Sequence, residues 1–140
     1  MSKTKTVISK EVALKEIETL INRFVKKPVK FDEIEETYPD ILDAIMDGYL
    51  SFDGTGIPVL KLKEPVTSES GTVVLETVNF RTRVKPTTLR DLGKGLDLKK
   101  DPFGLGIRIT AYITDQPEMM VDNYSKYDYG VIDQICSIFS

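Results

Sequence analysis

The sequence predicts an α+β fold: N-terminal helices, one antiparallel β-hairpin, and C-terminal helices packed against it. Three observations lead there. Apolar residues recur at three- and four-residue spacing as far as Tyr49. The apolar period becomes two between Val59 and Val84. Helical spacing then returns from Leu105 to Phe139.

The elements follow in order. The first six residues read as a tail. Ser9 suits the N-cap of a helix over 10–27, with an apolar stripe of Leu14, Ile17, Leu20, Ile21 and Phe24. Pro28 ends it. A short second helix starts at Asp32, with Glu35 three positions on as its capping-box partner. Pro39 suits the first turn of a third, in which Ile41, Leu42, Ile45, Met46 and Tyr49 share a face. Residues 51–56 read as a flexible joint. They divide the chain into an N-terminal helical segment, 1–50, and a hairpin with C-terminal helices, 57–140.

Val59 to Lys63 reads as a strand stopped by Pro65, and the polar stretch 67–71 as a loop. Thr72 to Val84 reads as a longer strand with Val74, Val78, Phe80 and Val84 on one face. Val73 and Leu75 point the other way, so its first half is expected to be covered on both faces. Pro86 opens a short helix capped by Thr87 or Thr88 and ended by Gly93 and Gly95. A loop runs to Pro102. Leu105, Ile109, Tyr112 and Ile113 form a helical stripe that ends before Pro117. Ser125 and Asp128 form a capping box for the last helix. Its apolar side is Tyr129, Ile132, Ile135, Cys136 and Phe139.

Composition excludes several chemistries. The 140 residues contain no histidine, which removes Ser-His-Asp and Cys-His catalysis and the usual zinc sites. Cys136 is the one cysteine, so no intrachain disulfide can form. No secretory h-region and no membrane-length apolar run is present, so a cytoplasmic location without membrane contact is expected. Net charge is −3 and gives no global attraction to nucleic acid. The charge is segregated, however. Residues 1–30 carry 8 Lys/Arg against 3 Asp/Glu, and residues 31–58 carry 8 Asp/Glu and no base. The simplest reading is a basic helix and an acidic one that attract each other.

Motifs that carry chemistry are weak. Gly104-Leu105-Gly106 lacks the third glycine of a dinucleotide loop. Asp32-Glu33-Ile34-Glu35-Glu36 lacks the ligand alternation of a calcium loop and reads as a solvated helix face, ahead of phosphate mimicry or metal binding. Asp53-Gly54-Thr55-Gly56 reads as a turn. Arg81 and Arg83 read as a solvated sheet face rather than a phosphate site, and Cys136 as a core residue. No catalytic residue, metal or cofactor is expected, and binding or assembly is the favoured class.

From residue 57 on, four phrases follow in order. A first strand ends in Leu62-Lys63-Glu64-Pro65. A second strand runs into the phrase Arg83-Val84-Lys85-Pro86-Thr87-Thr88-Leu89-Arg90-Asp91-Leu92. An apolar helix ends in Thr114-Asp115-Gln116-Pro117, and a final helix from Ser125-Lys126-Tyr127-Asp128 closes in Phe139. This order resembles the tail assembly chaperones of contractile-tailed bacteriophages of the Mu-like and P2-like types. The helical segment 1–50 has no counterpart in the small family members. The resemblance implies a non-enzymatic helper in the host bacterial cytoplasm. It implies the tape measure protein as partner, with the tail tube protein and self-association as further candidates, and no nucleic acid or membrane. The alternative is a structural tail or baseplate component retained in the virion. Local patterning, independently of the resemblance, offers Tyr112, Met119, Met120, Tyr124 and Tyr127 as partner-binding residues, because aromatic and methionine side chains make adaptable contacts.

Overall fold

A computed structural model describes residues 8–97 and 99–140. The tail read at 1–6 lies outside these. The described chain is α+β, with helices α1 (Lys10–Phe24), α2 (Phe31–Thr37) and α3 (Pro39–Met46) first. Strands β1 (Leu50–Phe52), β2 (Pro58–Thr67) and β3 (Val73–Asn79) follow. Helices α4 (Pro86–Leu92), α5 (Gly104–Thr114), α6 (Glu118–Val121) and α7 (Lys126–Phe139) complete it.

The Ser9 hydroxyl accepts from the Val12 amide, so α1 begins where its cap predicts. It stops at Phe24 rather than at Lys27, because Lys26 turns left-handed (φ 58°) and its amide folds back on the Ile21 carbonyl. Helix α2 begins one residue before Asp32 and has no side-chain cap, so the expected capping box is not formed. Helix α3 has Pro39 in its first turn, as its sequence predicts. Its cap comes from far away in the chain. Gln134 Oε1 on α7 accepts from the Asp40 and Ile41 amides at 3.0 and 3.1 Å, while its Nε2 donates to Asp40 Oδ2 at 3.0 Å. Gly130 lets the two helices approach: a Cβ there would lie 2.8 Å from Asp40 Oδ2.

The expected joint is instead a strand and its turn. Leu50 pairs with Leu60 and Phe52 with Pro58, so the sheet has three antiparallel strands in the order β1-β2-β3. Asp53 Oδ1 closes the turn by accepting from the Thr55 amide, the Thr55 hydroxyl and the Ile57 amide. These bonds hold the Asp53 carboxyl below its ordinary pKa. Gly56 sits at φ 82°, and Arg23 of α1 donates to the Thr55 carbonyl beside it.

Strand β2 does not stop at Pro65. Its register with β3 jumps from Lys61 opposite Thr77 to Val66 opposite Leu75, so four residues face one. Pro65 lies inside this bulge, where its missing N–H forfeits no ladder bond. The Lys63 and Glu64 amides turn to α7 and donate to the two carboxylate oxygens of Asp128 at 2.9 and 3.0 Å. Asp128 is fully buried, and it also accepts from the Ser125 hydroxyl at 3.0 Å. Ser125 Oγ in turn accepts the Asp128 amide, so the expected N-cap of α7 is present.

Strand β3 ends at Asn79, short of Val84. The Arg81 amide leaves the sheet and donates to the Ile113 carbonyl at 2.7 Å, satisfying an orphan acceptor at the end of α5. The start of β3 is not covered on both faces; Val73 and Val74 are each about half exposed. Helix α4 is capped by neither threonine, since Lys85 is its N-cap and Pro86 its first residue.

Helix α7 holds the centre. It packs against α1, α3, α5 and β2. Val131, Ile132, Ile135, Cys136, Ile138 and Phe139 of α7 are buried with Ile17, Leu20 and Ile21 of α1 and with Ile41 and Ile45 of α3. Phe24 meets Phe139 edge to face at 4.9 Å. The helices of 1–50 and the elements of 57–140 thus share one core. Among the described residues one ion pair, Lys10 to Glu35 at 3.0 Å, joins the basic helix to the acidic one.

Candidate functional site

An open cleft of about 480 Å³ lies at the C-terminal end of α5. Arg108, Ala111 and Tyr112 of α5 form its floor. Leu92 at the end of α4 stands on one side, and the α5–α6 turn, Asp115 to Glu118, on the other. Arg81, just past β3, closes one end.

The cleft is shaped by how α5 ends. Asp115 takes the left-handed conformation (φ 54°), which a short polar side chain tolerates better than most. Its amide and that of Gln116 return to the Tyr112 and Ala111 carbonyls. Asp115 then accepts from Arg81 Nη2 at 2.7 Å, and the Arg81 guanidinium lies over the Tyr112 ring at 4.5 Å. Asp115 first, and then the Tyr112 hydroxyl, raise the Arg81 pKa above its ordinary value. Arg108 donates to the Leu92 and Lys94 carbonyls at 2.9 and 2.8 Å, tying α4 to α5. It also lies 3.9 Å from Glu118. Arg81 is therefore neither on a sheet face nor free to hold a phosphate; it braces the cleft.

The five residues expected at a partner surface do not come together. Tyr112 is half-buried in the cleft. Met119 follows the turn on α6 and is 75% exposed. Met120, beside it, is half-buried and packs on the core. Tyr124 is a core residue, 8% exposed. Its buried hydroxyl makes no hydrogen bond, although Thr114 lies toward it. Burial raises the Tyr124 phenol pKa, and Thr114 offsets part of the rise. Tyr127 lies elsewhere, with Lys63 Nζ over its ring at 4.4 Å and Tyr49 at 6.4 Å. Burial, followed by the charges of Asp47 and Asp43, pushes its phenol up to about 12. Of the five, Tyr112 lines the cleft and Met119 is exposed two residues past Pro117 at its edge in sequence.

Sequence reasoning missed Phe103, which is 79% exposed at the start of α5. An aromatic residue between a polar loop and two glycines was its signal, since such a position offers nothing to pack on. The cleft itself joins residues from 81 to 118, which no local pattern reveals.

Cys136 is buried as expected. Burial pushes its thiol up to about 12 from an ordinary 9.0, so no thiolate forms at neutral pH. Between 9.0 and about 12 the unfolded chain loses a proton that the folded chain keeps, so stability falls as pH rises through that window. Tyr127 adds to the fall from 10.0 upward. Thermal melts across this range should show Tm dropping from near pH 9, and Cys136→Ala should delay the onset toward pH 10. An unchanged onset in that variant would contradict the assignment.

Among the described residues no three Cys, Asp or Glu side chains are placed to hold a metal ion. No helix among them is long and apolar enough to cross a membrane. No family model, curated protein or solved structure matches this chain.

Proposed function

We propose that this protein is a non-enzymatic tail assembly chaperone. It works in the host bacterial cytoplasm, binds the tape measure protein and keeps it soluble while the tail assembles. One observation carries the reading. Two of the phrases that resemble the chaperones, 83–92 and 114–117, meet at the cleft: Leu92 comes from the first, and Asp115, Gln116 and Pro117 from the second. Exposed Met119 follows immediately. An apolar client segment exposed before assembly aggregates unless such a surface covers it. Producing the tape measure protein of the same phage with and without this chain tests the reading. The soluble fraction should rise several-fold with it, and purified virions should lack this chain by mass spectrometry. Stoichiometric presence in virions would favour a structural tail or baseplate component instead.

A further inference from the structure

Among the described residues the sheet ends on one side in an open strand. Strand β3 makes its substantial contacts with β2 alone, and Val73, Val74, Glu76, Thr77 and Asn79 are exposed along it. Its seven residues include neither proline nor lysine, and their one charge is Glu76. An edge of this kind is a template for another strand unless something blunts it. The opposite edge, β1, has three residues and offers far less.

The ladder fixes where the open backbone groups point. The Lys61 amide donates to the Tyr49 carbonyl, on the β1 side, at 2.8 Å. Lys61 and its partner Thr77 therefore exchange no hydrogen bonds, and Thr77 turns its N–H and C=O to the open edge. At the start of the strand, the Ser68 amide donates to the Thr72 carbonyl at 2.8 Å, so Thr72 faces β2 and Val73 faces outward. Open groups thus stand at Val73 and Thr77, placed evenly about Leu75. An antiparallel copy of the same strand matches them. Val73 of one copy lies opposite Thr77 of the other, and each such pair can exchange both of its hydrogen bonds.

The side chains suit the same register. Leu75, half-buried in the single chain, meets itself on the axis, and half-exposed Val73 lies diagonal to it. Glu76 falls opposite Val74, so the two glutamates do not face each other. The flanks of β3 are opposite in charge: Glu69 precedes it, and Arg81 and Arg83 follow it. Glu69 and Arg83 are exposed and make no ion pair among the described residues. Antiparallel pairing lays the acidic flank of one copy toward the basic flank of the other.

We propose that two copies of this chain pair β3 to β3 across a two-fold axis at Leu75. The two sheets then join into one of six antiparallel strands, and both long edges disappear. The pairing goes beyond the chaperone reading and does not rest on it.

Sedimentation velocity of the full chain tests it. A strand pair is a small interface, so monomer should give way to dimer as concentration rises between about 1 and 200 µM. Thr77→Pro should abolish the dimer and leave the monomer folded by circular dichroism, since the monomer's ladder does not use that N–H. Leu75→Lys and Leu75→Glu each set like charges against each other on the axis, and each should weaken dimerisation about tenfold or more. Mixing these two variants should restore a dimer with one copy of each, a gain that unfolding cannot produce. A natural chain that stays monomeric throughout would overturn the proposal, whatever other strand the edge then accepts. So would a dimer that folded Thr77→Pro leaves intact, because it would use another face. Folded Leu75 variants that fail to pair when mixed would overturn it too.

Discussion

A chain lacking residues 1–50 is expected to lose its cooperative fold. The N-terminal helices bury Leu14, Ile17, Leu20, Ile21, Ile34, Ile41 and Ile45 against the rest of the molecule, and α7 takes much of that contact. Each such side chain contributes roughly 1.5–3 kcal/mol by leaving water, against a typical net stability of about 5–15 kcal/mol for a whole domain. Deletion also uncovers Phe139 on α7, which meets Phe24, and takes Leu50, the buried first residue of β1, out of the sheet. Circular dichroism of the truncated chain should show no cooperative thermal transition. A sharp melt like that of the full chain would show that residues 57–140 hold a core of their own.

Asp128→Ala should produce the largest effect of any single change considered. Its carboxylate is the shared acceptor for the Lys63 and Glu64 amides and the Ser125 hydroxyl. Removing it strands two amides in the β2 bulge and leaves the start of α7 without its link to the sheet. Losing a carboxyl acceptor with several donors costs about 3 kcal/mol, which lowers Tm by roughly 10 °C in a domain of this size. Asp133, on the exposed side of the same helix, makes no hydrogen bond or ion pair through its side chain among the described residues, so Asp133→Ala is the control. Thermal denaturation of the two variants checks the difference. A loss under about 1 kcal/mol for Asp128→Ala would mean that water replaces the carboxylate.

The same residue shows what the sequence makes legible. Ser125 and Asp128 read correctly as the entry to a helix, because a cap is a local arrangement over three residues. Nothing local says that Asp128 also serves strand β2, some 65 residues earlier. Ser9 and Pro39 were legible for the same reason, as was the change from helical to alternating period. Strand β1 was not. Its three residues precede a turn of Asp and Gly, and it is a strand only because β2 lies beside it. Pro65 misled because a proline stops a ladder but not a bulge. At the candidate site, Met119 and Met120 were not told apart, although only Met119 is exposed, and Tyr124 was not legible as core. Its neighbours in sequence are polar, and only the tertiary core buries it.

Direct binding of the tape measure protein is the measurement that bears most on the proposed function. Met119 is the side chain to change, because Met120 packs on the core and would confound folding with binding. Burying an exposed methionine at an interface contributes roughly 1.5–3 kcal/mol, and about 1.4 kcal/mol is a factor of ten. A titration of the tape measure protein against the natural chain and Met119→Asp should therefore show at least about tenfold weaker binding by the variant, with its Tm unchanged. No binding by the natural chain, or full binding by a folded Met119→Asp, would contradict the account.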